Sequence, residues 1–457
     1  MTENANATHE AEIDNSNRST TPQSDTFLNF ISSSWADRVD ELPAELPVAK
    51  FAADRRAALA ALFADKRLVI AAGALKQRSN DTFYPYRPHS AFAHLTGWGS
   101  ESEPGAILVI EASGETTLFF RERAGRDSDE FFANPEIGEF WIGPRPSLAQ
   151  VSALLGVQAK HLAEFAAHDD DLTLDDADLA RAASELRLVK DAYELAEMQH
   201  AVDATQRGFD EVLASLGDAS AHPRGERIVE GVFNQRARLD GNEVGYETIA
   251  AAGDHACTLH WIRNDGPVHE GDLLLLDAGV ELDSLYTADI TRTVPISGTF
   301  SETQRRVYET VLEAADAARA IVKPGIRFSD VHDAAMTVIE RATREWGFLP
   351  ESDGTPYHRR YMVHGTSHHL GLDVHDCAQA RREMYMEGIL EPGMVFTIEP
   401  GLYFQPDDLT VPAEFRGIGV RIEDDIVVTE DGCVNLSANI PRTADDVEQW
   451  VRGARQA

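Results

Sequence analysis

The sequence predicts an α+β protein, with a smaller N-terminal α/β domain ahead of a larger domain built from helices and strand pairs. Three observations carry this. The chain has 457 residues, too many for one ordinary core. Helices and strands alternate from about Pro47 to Leu186, whereas after Asp191 the order is irregular and strands come in hairpin-like pairs. Finally, four carboxylates and one imidazole, Asp277, Asp289, His368, Glu399 and Glu423, sit in short motifs whose flanks read as strands or tight turns.

Taken in order, residues 1–25 are rich in Asn, Thr, Ser and Glu and are expected to be a disordered tail. An Ala/Leu-rich helix is expected from Lys50 towards Lys66, followed by strands at Leu68–Ile70, Ala106–Ile110 and Thr116–Phe120 and a helix after Pro146. The acidic stretch Asp169–Asp176 leads into a helix over Ala177–Leu186. A long amphipathic helix follows from about Asp191 to Leu216, so Arg187–Lys190 is the expected domain boundary. Domains at 26–187 and 188–446 result, with 447–457 as a C-terminal tail.

In the second domain, Ser301 with Gln304 spells a capping box for a helix ending before Pro324-Gly325, and Ser329 is expected to cap the next. Asp272–Val280 is expected to pair with Tyr286–Val294. Gly417–Val428 reads as one strand that turns at Glu430-Asp431-Gly432. No 20–50 residue repeat is present.

Composition excludes several classes of function. The formal charge of −36 disfavours nucleic-acid phosphate and anionic membrane as partners, because both would repel it. Cys257, Cys377 and Cys433 are odd in number and widely spaced, which argues against a disulfide framework or a zinc knuckle. There is neither a basic-then-apolar leader nor an apolar run of about 18 residues. A cytoplasmic, soluble protein is the expectation.

The five residues named above form the donor set that hard divalent cations prefer, and it is large enough for two ions. Asp277 follows the apolar run Leu273–Leu276, and Glu399 follows Val395–Ile398. A carboxylate at the end of a buried strand is costly unless a cation or dense hydrogen bonding compensates it. Two divalent ions would bring four carboxylates close to neutrality. Each motif also has a plainer reading: Asp277 as a turn residue, Asp289 bonded to Arg292, Arg421 and Glu423 as a structural pair on one strand face, and His369 as a surface histidine. His364, His368 and His375 share helical spacing, but Gly365, Gly371 and the β-branched residues argue for loop and strand.

The words DAGVELDSLYTADITRT, HGTSHHLGLDVHD, TIEPGLYF and GIGVRIEDDIVVT resemble the aminopeptidase P and prolidase branch of the metallopeptidases with the creatinase/aminopeptidase "pita-bread" fold. TLHW around His260 and the N-terminal YRPHSAFAHLTGW extend the resemblance over most of the chain.

The resemblance implies a C-terminal pita-bread catalytic domain and a dinuclear metal centre, commonly manganese. In it Asp277 serves one metal, His368 and Glu399 the other, and Asp289 and Glu423 both. It implies hydrolysis by a water held between the ions, with Glu399 moving the proton, and His260, His364 and His375 contacting substrate and oxyanion. Arg421 would hold the bridging carboxylate. The implied substrate is a peptide with proline second, the implied assembly a homodimer or homotetramer, and Arg87 with the N-terminal domain would gate the site. Ala93 stands where relatives carry an aromatic. The rival expectations are a prolidase limited to dipeptides, a methionine aminopeptidase, against which the full-length N-terminal domain counts, and a metal-free pita-bread binding protein.

Overall fold

The computed structural model describes residues 24–455. Residues 1–23, most of the expected tail, lie outside the described residues; Ser24 and Asp25 already cap and open a helix, Asp25–Ser32. The N-terminal domain is a five-stranded mixed sheet in the order 158–161, 116–120, 107–110, 68–71, 172–173. Its two edge strands run parallel to their neighbours and the central pairs are antiparallel. The helices Val48–Leu62, Leu148–Leu155 and Ala177–Glu185 cover it. Leu59, Ile70, Leu118, Leu155 and Leu179 form one core between the layers.

The second domain joins two helical hairpins to two small antiparallel sheets. Ala192–Ser220 packs on Gly225–Asp240, and Glu302–Ala320 on Phe328–Glu345. One sheet places Leu273–Ala278 between Ile249–Ala252 and Ile290–Pro295; the other places Asp424–Val428 between Val395–Ile398 and Cys433–Asn435. All six residues of Leu273–Ala278 are buried, which explains an unbroken apolar run in place of alternation.

Several expectations are corrected. The strand read over Gly417–Val428 is two strands, Gly419–Arg421 and Asp424–Val428, interrupted at Ile422-Glu423 because each half pairs with a different partner. Arg327, not Ser329, is the N-cap of the helix that begins at Phe328. Its backbone N–H is taken by Asp330 at 3.1 Å, which leaves Ser329 inside the first turn. The segment from 447, expected as a tail, belongs to the helix Ala444–Ala454, because Val447 and Val451 recur at helical spacing and are fully buried.

Arg187–Lys190, the expected boundary, is not an exposed linker. Arg187 Nε donates to Asp376 Oδ1 at 2.8 Å, and the fully buried Lys190 Nζ reaches Asp376 Oδ2 at 3.2 Å. Although burial opposes ionisation of Asp376, the charges of Arg187 and Lys190 hold its carboxyl well below the usual carboxylate range. Nearby, Arg55 of the first domain pairs with Asp191 at 2.7 Å, while Glu194 accepts the Tyr286 hydroxyl at 2.9 Å. The two domains therefore meet through buried charge. Removing one member of such a group strands the others. Asp376→Asn is expected to lose about 3 to 5 kcal/mol of stability, read as a lower urea midpoint than wild type.

Candidate active site and metal centre

The two sheets meet at the candidate donors. Asp277 is the penultimate residue of the strand Leu273–Ala278 and lies opposite Thr291, while Asp289 directly precedes the partner strand. Gly279 permits this crowding: a Cβ there would stand 1.7 Å from the Ala288 carbonyl oxygen. The second sheet docks on the first through the Glu423 N–H, which donates to Thr291 O at 3.1 Å, and through Arg292. The Arg292 guanidinium is fully buried and donates to Asp424 at 2.8 Å and to the Glu423 carbonyl at 2.6 Å. Thus Arg292 pairs with Asp424 and leaves Asp289 unpaired by it, against the plainer reading of that motif.

The histidine-rich segment is a loop with an edge pairing. His369 bridges Phe396, Thr397 N–H donates to His368 O at 3.0 Å, and Glu399 N–H donates to Thr366 O at 2.8 Å. His368 is thereby stapled beside the strand that ends in Glu399. His369, whose plainer reading was a surface histidine, is 1% exposed and stacks on Phe328 at 4.7 Å, and burial pushes its imidazole down to about 3. Chain alternation decides this: with His368 turned to the cavity, its neighbour faces the core.

Ligand atoms of Asp289, His368 and Glu423 all lie within 4.8 Å of one another. His368 Nε2 is 3.2 Å from Asp289 Oδ2 and 3.7 Å from Glu399 Oε1. Asp277 joins the group through Tyr246, whose hydroxyl hydrogen-bonds Asp277 Oδ1 at 2.7 Å and also reaches Asp289. His260, His364, His375 and Arg421 line the same cavity of about 500 Å³, together with the apolar Ile249, Leu259 and Val374. Arg421 does not touch Glu423 directly. It donates to Asp277 and, through Nε, to Thr291 Oγ1 at 3.1 Å, and that hydroxyl donates to Glu423 Oε2 at 2.6 Å.

Tyr246, Thr291 and Tyr403 were not among the expected site residues. Tyr403 OH lies 2.8 Å from His364 Nε2 and accepts from Arg421 at 3.1 Å. Tyr403 sits in the TIEPGLYF word, a signal that was available, whereas Tyr246 stands 31 residues before Asp277 with no local motif. Arg87, expected to gate the site, pairs with Glu281 at 2.7 Å in its own chain and is not among the cavity-lining residues. Ala93 is buried in the core of the larger domain.

The electrostatics call for positive charge. Burial, then the charges of Asp289, Glu399 and Asp277, push Glu423 well above the carboxylate range. Burial raises Glu399 to about 7. His368 rises to about 9 because the hydrogen bond and charge of Asp289, with Glu399, outweigh its own burial. Asp425 is likewise raised by burial and Asp289, and its Oδ1 has no hydrogen-bond partner. Burial and Arg421 lower His364 to about 4, which leaves it neutral near pH 7. Oxygen-rich donors with one imidazole, and carboxylates whose burial and mutual repulsion call for positive charge, fit divalent metal.

Comparison with known proteins agrees with this geometry. Residues 196–430 match the model of metallopeptidase family M24, and residues 52–176 match the aminopeptidase P N-terminal domain. The chain belongs to metallopeptidase family M24. Within M24 it is similar to Xaa-Pro aminopeptidase 1 of Streptomyces coelicolor, 49% identical across 94% of this chain and 92% of that one. It is also similar to Xaa-Pro aminopeptidase 2 of that organism, 50% identical across 91% and 94%. Among solved structures, Pseudomonas aeruginosa aminopeptidase PepP superposes with a TM-score of 0.77 at 30% identity, covering 91% of this chain and all of the other. Aminopeptidase P from E. coli with the inhibitor Pro-Leu gives 0.76 at 29% over the same shares. The larger domain is thus a pita-bread domain, and divalent metal is a property of the M24 family.

A pH consequence follows for chelator-treated protein. Glu399 is raised from 4.5 to about 7, so its burial becomes destabilising as pH climbs through that window. His368 is raised from 6.5 to about 9, so the stability it contributes is full below 6.5 and lost towards 9. Both act in one direction. Above pH 6.5, where the depressed His364 and His369 no longer add an opposing slope, the melting temperature of metal-free protein is expected to fall as pH rises to 9, and added divalent metal to abolish that fall.

Proposed function

We propose that this protein is a dinuclear-metal aminopeptidase that hydrolyses the bond between an N-terminal residue and a following proline. The observation that carries the reading is the cluster of buried Asp277, Asp289 and Glu423 with partly buried His368 and Glu399 on the wall of a cavity edged by three further histidines. Identity of about one half to Xaa-Pro aminopeptidases over both domains supports the substrate class and disfavours a prolidase. The matched N-terminal domain disfavours a methionine aminopeptidase, and the presence of all five donors disfavours a metal-free binding protein.

In this reading Asp289 and Glu423 would be shared between the ions, Asp277 would complete one site, and His368 and Glu399 would complete the other. Manganese is the proposed metal, since oxygen donors with a single imidazole suit it better than zinc. When bound, the ions acidify water and polarise the scissile carbonyl. Glu399 takes the proton and returns it to the leaving nitrogen. His260, His364 and His375 contact substrate and the developing oxyanion; the depressed imidazole of His364 supports a neutral hydrogen-bonding role. Arg421 orients Asp277 directly and Glu423 by way of Thr291.

Homodimeric or homotetrameric assembly and a cytoplasmic location complete the proposal, with neither nucleic acid nor membrane as partner. Three free cysteines support a reducing compartment, and among the described residues no helix is long and apolar enough to cross a membrane.

With manganese present, the protein is expected to release the first residue from both a Xaa-Pro dipeptide and a longer peptide beginning Xaa-Pro, and to stop with chelator. Product analysis showing cleavage of the dipeptide alone would move the assignment to prolidase. Asp289→Ala and Glu423→Ala should each cost far more than the roughly 10- to 100-fold typical of residues outside the ligand shell. A kcat/KM within about tenfold of wild type would exclude the bridging role.

A further inference from the structure

His260 stands on an exposed loop, yet it faces the cavity that holds the metal-site candidates. An exposed loop keeps a side chain in place only if its ends and flanks are tied down. One buried carboxylate ties this one. Glu226, the second residue of the helix Gly225–Asp240, is 0% exposed. Its Oε1 accepts the Ala252 N–H at 2.8 Å and His255 Nδ1 at 2.7 Å. Its Oε2 accepts Trp261 Nε1 at 2.9 Å and the Gly266 N–H at 2.6 Å. The Glu226 N–H in turn donates to the Gly266 carbonyl at 3.2 Å.

Ala252 and Gly266, the two ends of the loop, therefore close on one side chain, and the indole adjoining His260 hangs from it. The His255 and Trp261 rings stack at 3.9 Å and 23°. Gly266 makes room for that stack, since a Cβ there would stand 2.4 Å from His255 Cε1. Asn264 finishes the attachment: it accepts the Ala250 N–H at 2.9 Å and donates to Thr248 O at 2.8 Å, along the strand that pairs with Leu273–Ala278. A carboxylate suits the place because each oxygen meets two N–H donors and the helix start favours negative charge. Glu226 itself is not among the residues lining the cavity.

We propose that Glu226 is a positioning residue for the peptidase reaction, holding His260 at the cavity through Trp261 and the closed loop ends. The proposal rests on the aminopeptidase reading above. Glu226→Gln keeps the size but turns an amide NH2 towards two N–H donors. In metal-loaded enzyme it is expected to lower kcat/KM on an Xaa-Pro peptide about 100-fold, with metal content unchanged. In a His260→Ala background the same change should cost less than about threefold, because the group it positions is gone. Trp261→Phe, which removes one hydrogen bond and leaves the loop ends tied, is expected to cost about tenfold, again only when His260 is present. Tryptophan emission, taken as the difference from Trp261→Phe, should shift to longer wavelength in Glu226→Gln.

Equal losses with and without His260, or no loss at all, would overturn the proposal. If Glu226→Gln does not fold, the Trp261→Phe pair decides alone. A wild-type enzyme inert on every Xaa-Pro peptide would refute the aminopeptidase reading instead. The difference emission would still judge the loop attachment, and an unchanged Trp261 spectrum in Glu226→Gln would overturn it.

Discussion

The mutual repulsion of Asp277, Asp289, Glu399 and Glu423, brought to one buried cavity wall by two sheets, is the constraint around which the larger domain is arranged. Left to themselves Asp289, Glu399 and Glu423 hold protons above their ordinary range, because burial and like charge both oppose ionisation. The surrounding residues share the work of compensating them. Tyr246 and Arg421 hold Asp277, Thr291 holds Glu423, and Arg292 is spent on Asp424 and on backbone, clamping the two sheets. What remains uncompensated is charge of the kind that divalent metal supplies.

A second set of buried charges places the histidine-rich loop. Asp376 follows His375 in sequence and is held by Arg187 and Lys190, so the residues that lead out of the first domain also fix one wall of the cavity. The N-terminal domain is thus bound to the catalytic one by ionic contacts with little tolerance for rearrangement. Glu226 does a comparable job for the loop of His260 with a single carboxylate.

Much of this was legible beforehand, for local reasons. The capping box of Ser301 and Gln304, the helix starting after Asp191 and the strands at 68–71 and 116–120 follow from short-range chemistry, and they form as expected. The strand across Gly417–Val428 was misread because alternation cannot reveal that its halves pair with different partners. Arg187–Lys190 was read only as a boundary because the sequence does not show whether water or Asp376 receives the charges of Arg187 and Lys190. His369 looked like a surface histidine for the same reason.

The sequence by itself determined the donor inventory, the two-domain order and the family likeness, because residue type and local spacing encode them directly. Tertiary structure alone decided which groups meet: Tyr246 with Asp277, Thr291 with Glu423, Arg421 with Asp277 and not Glu423. Those pairings join positions 31, 132 and 144 residues apart. Hydrogen bonds at such separations depend on sheet docking and register, and no local pattern records them.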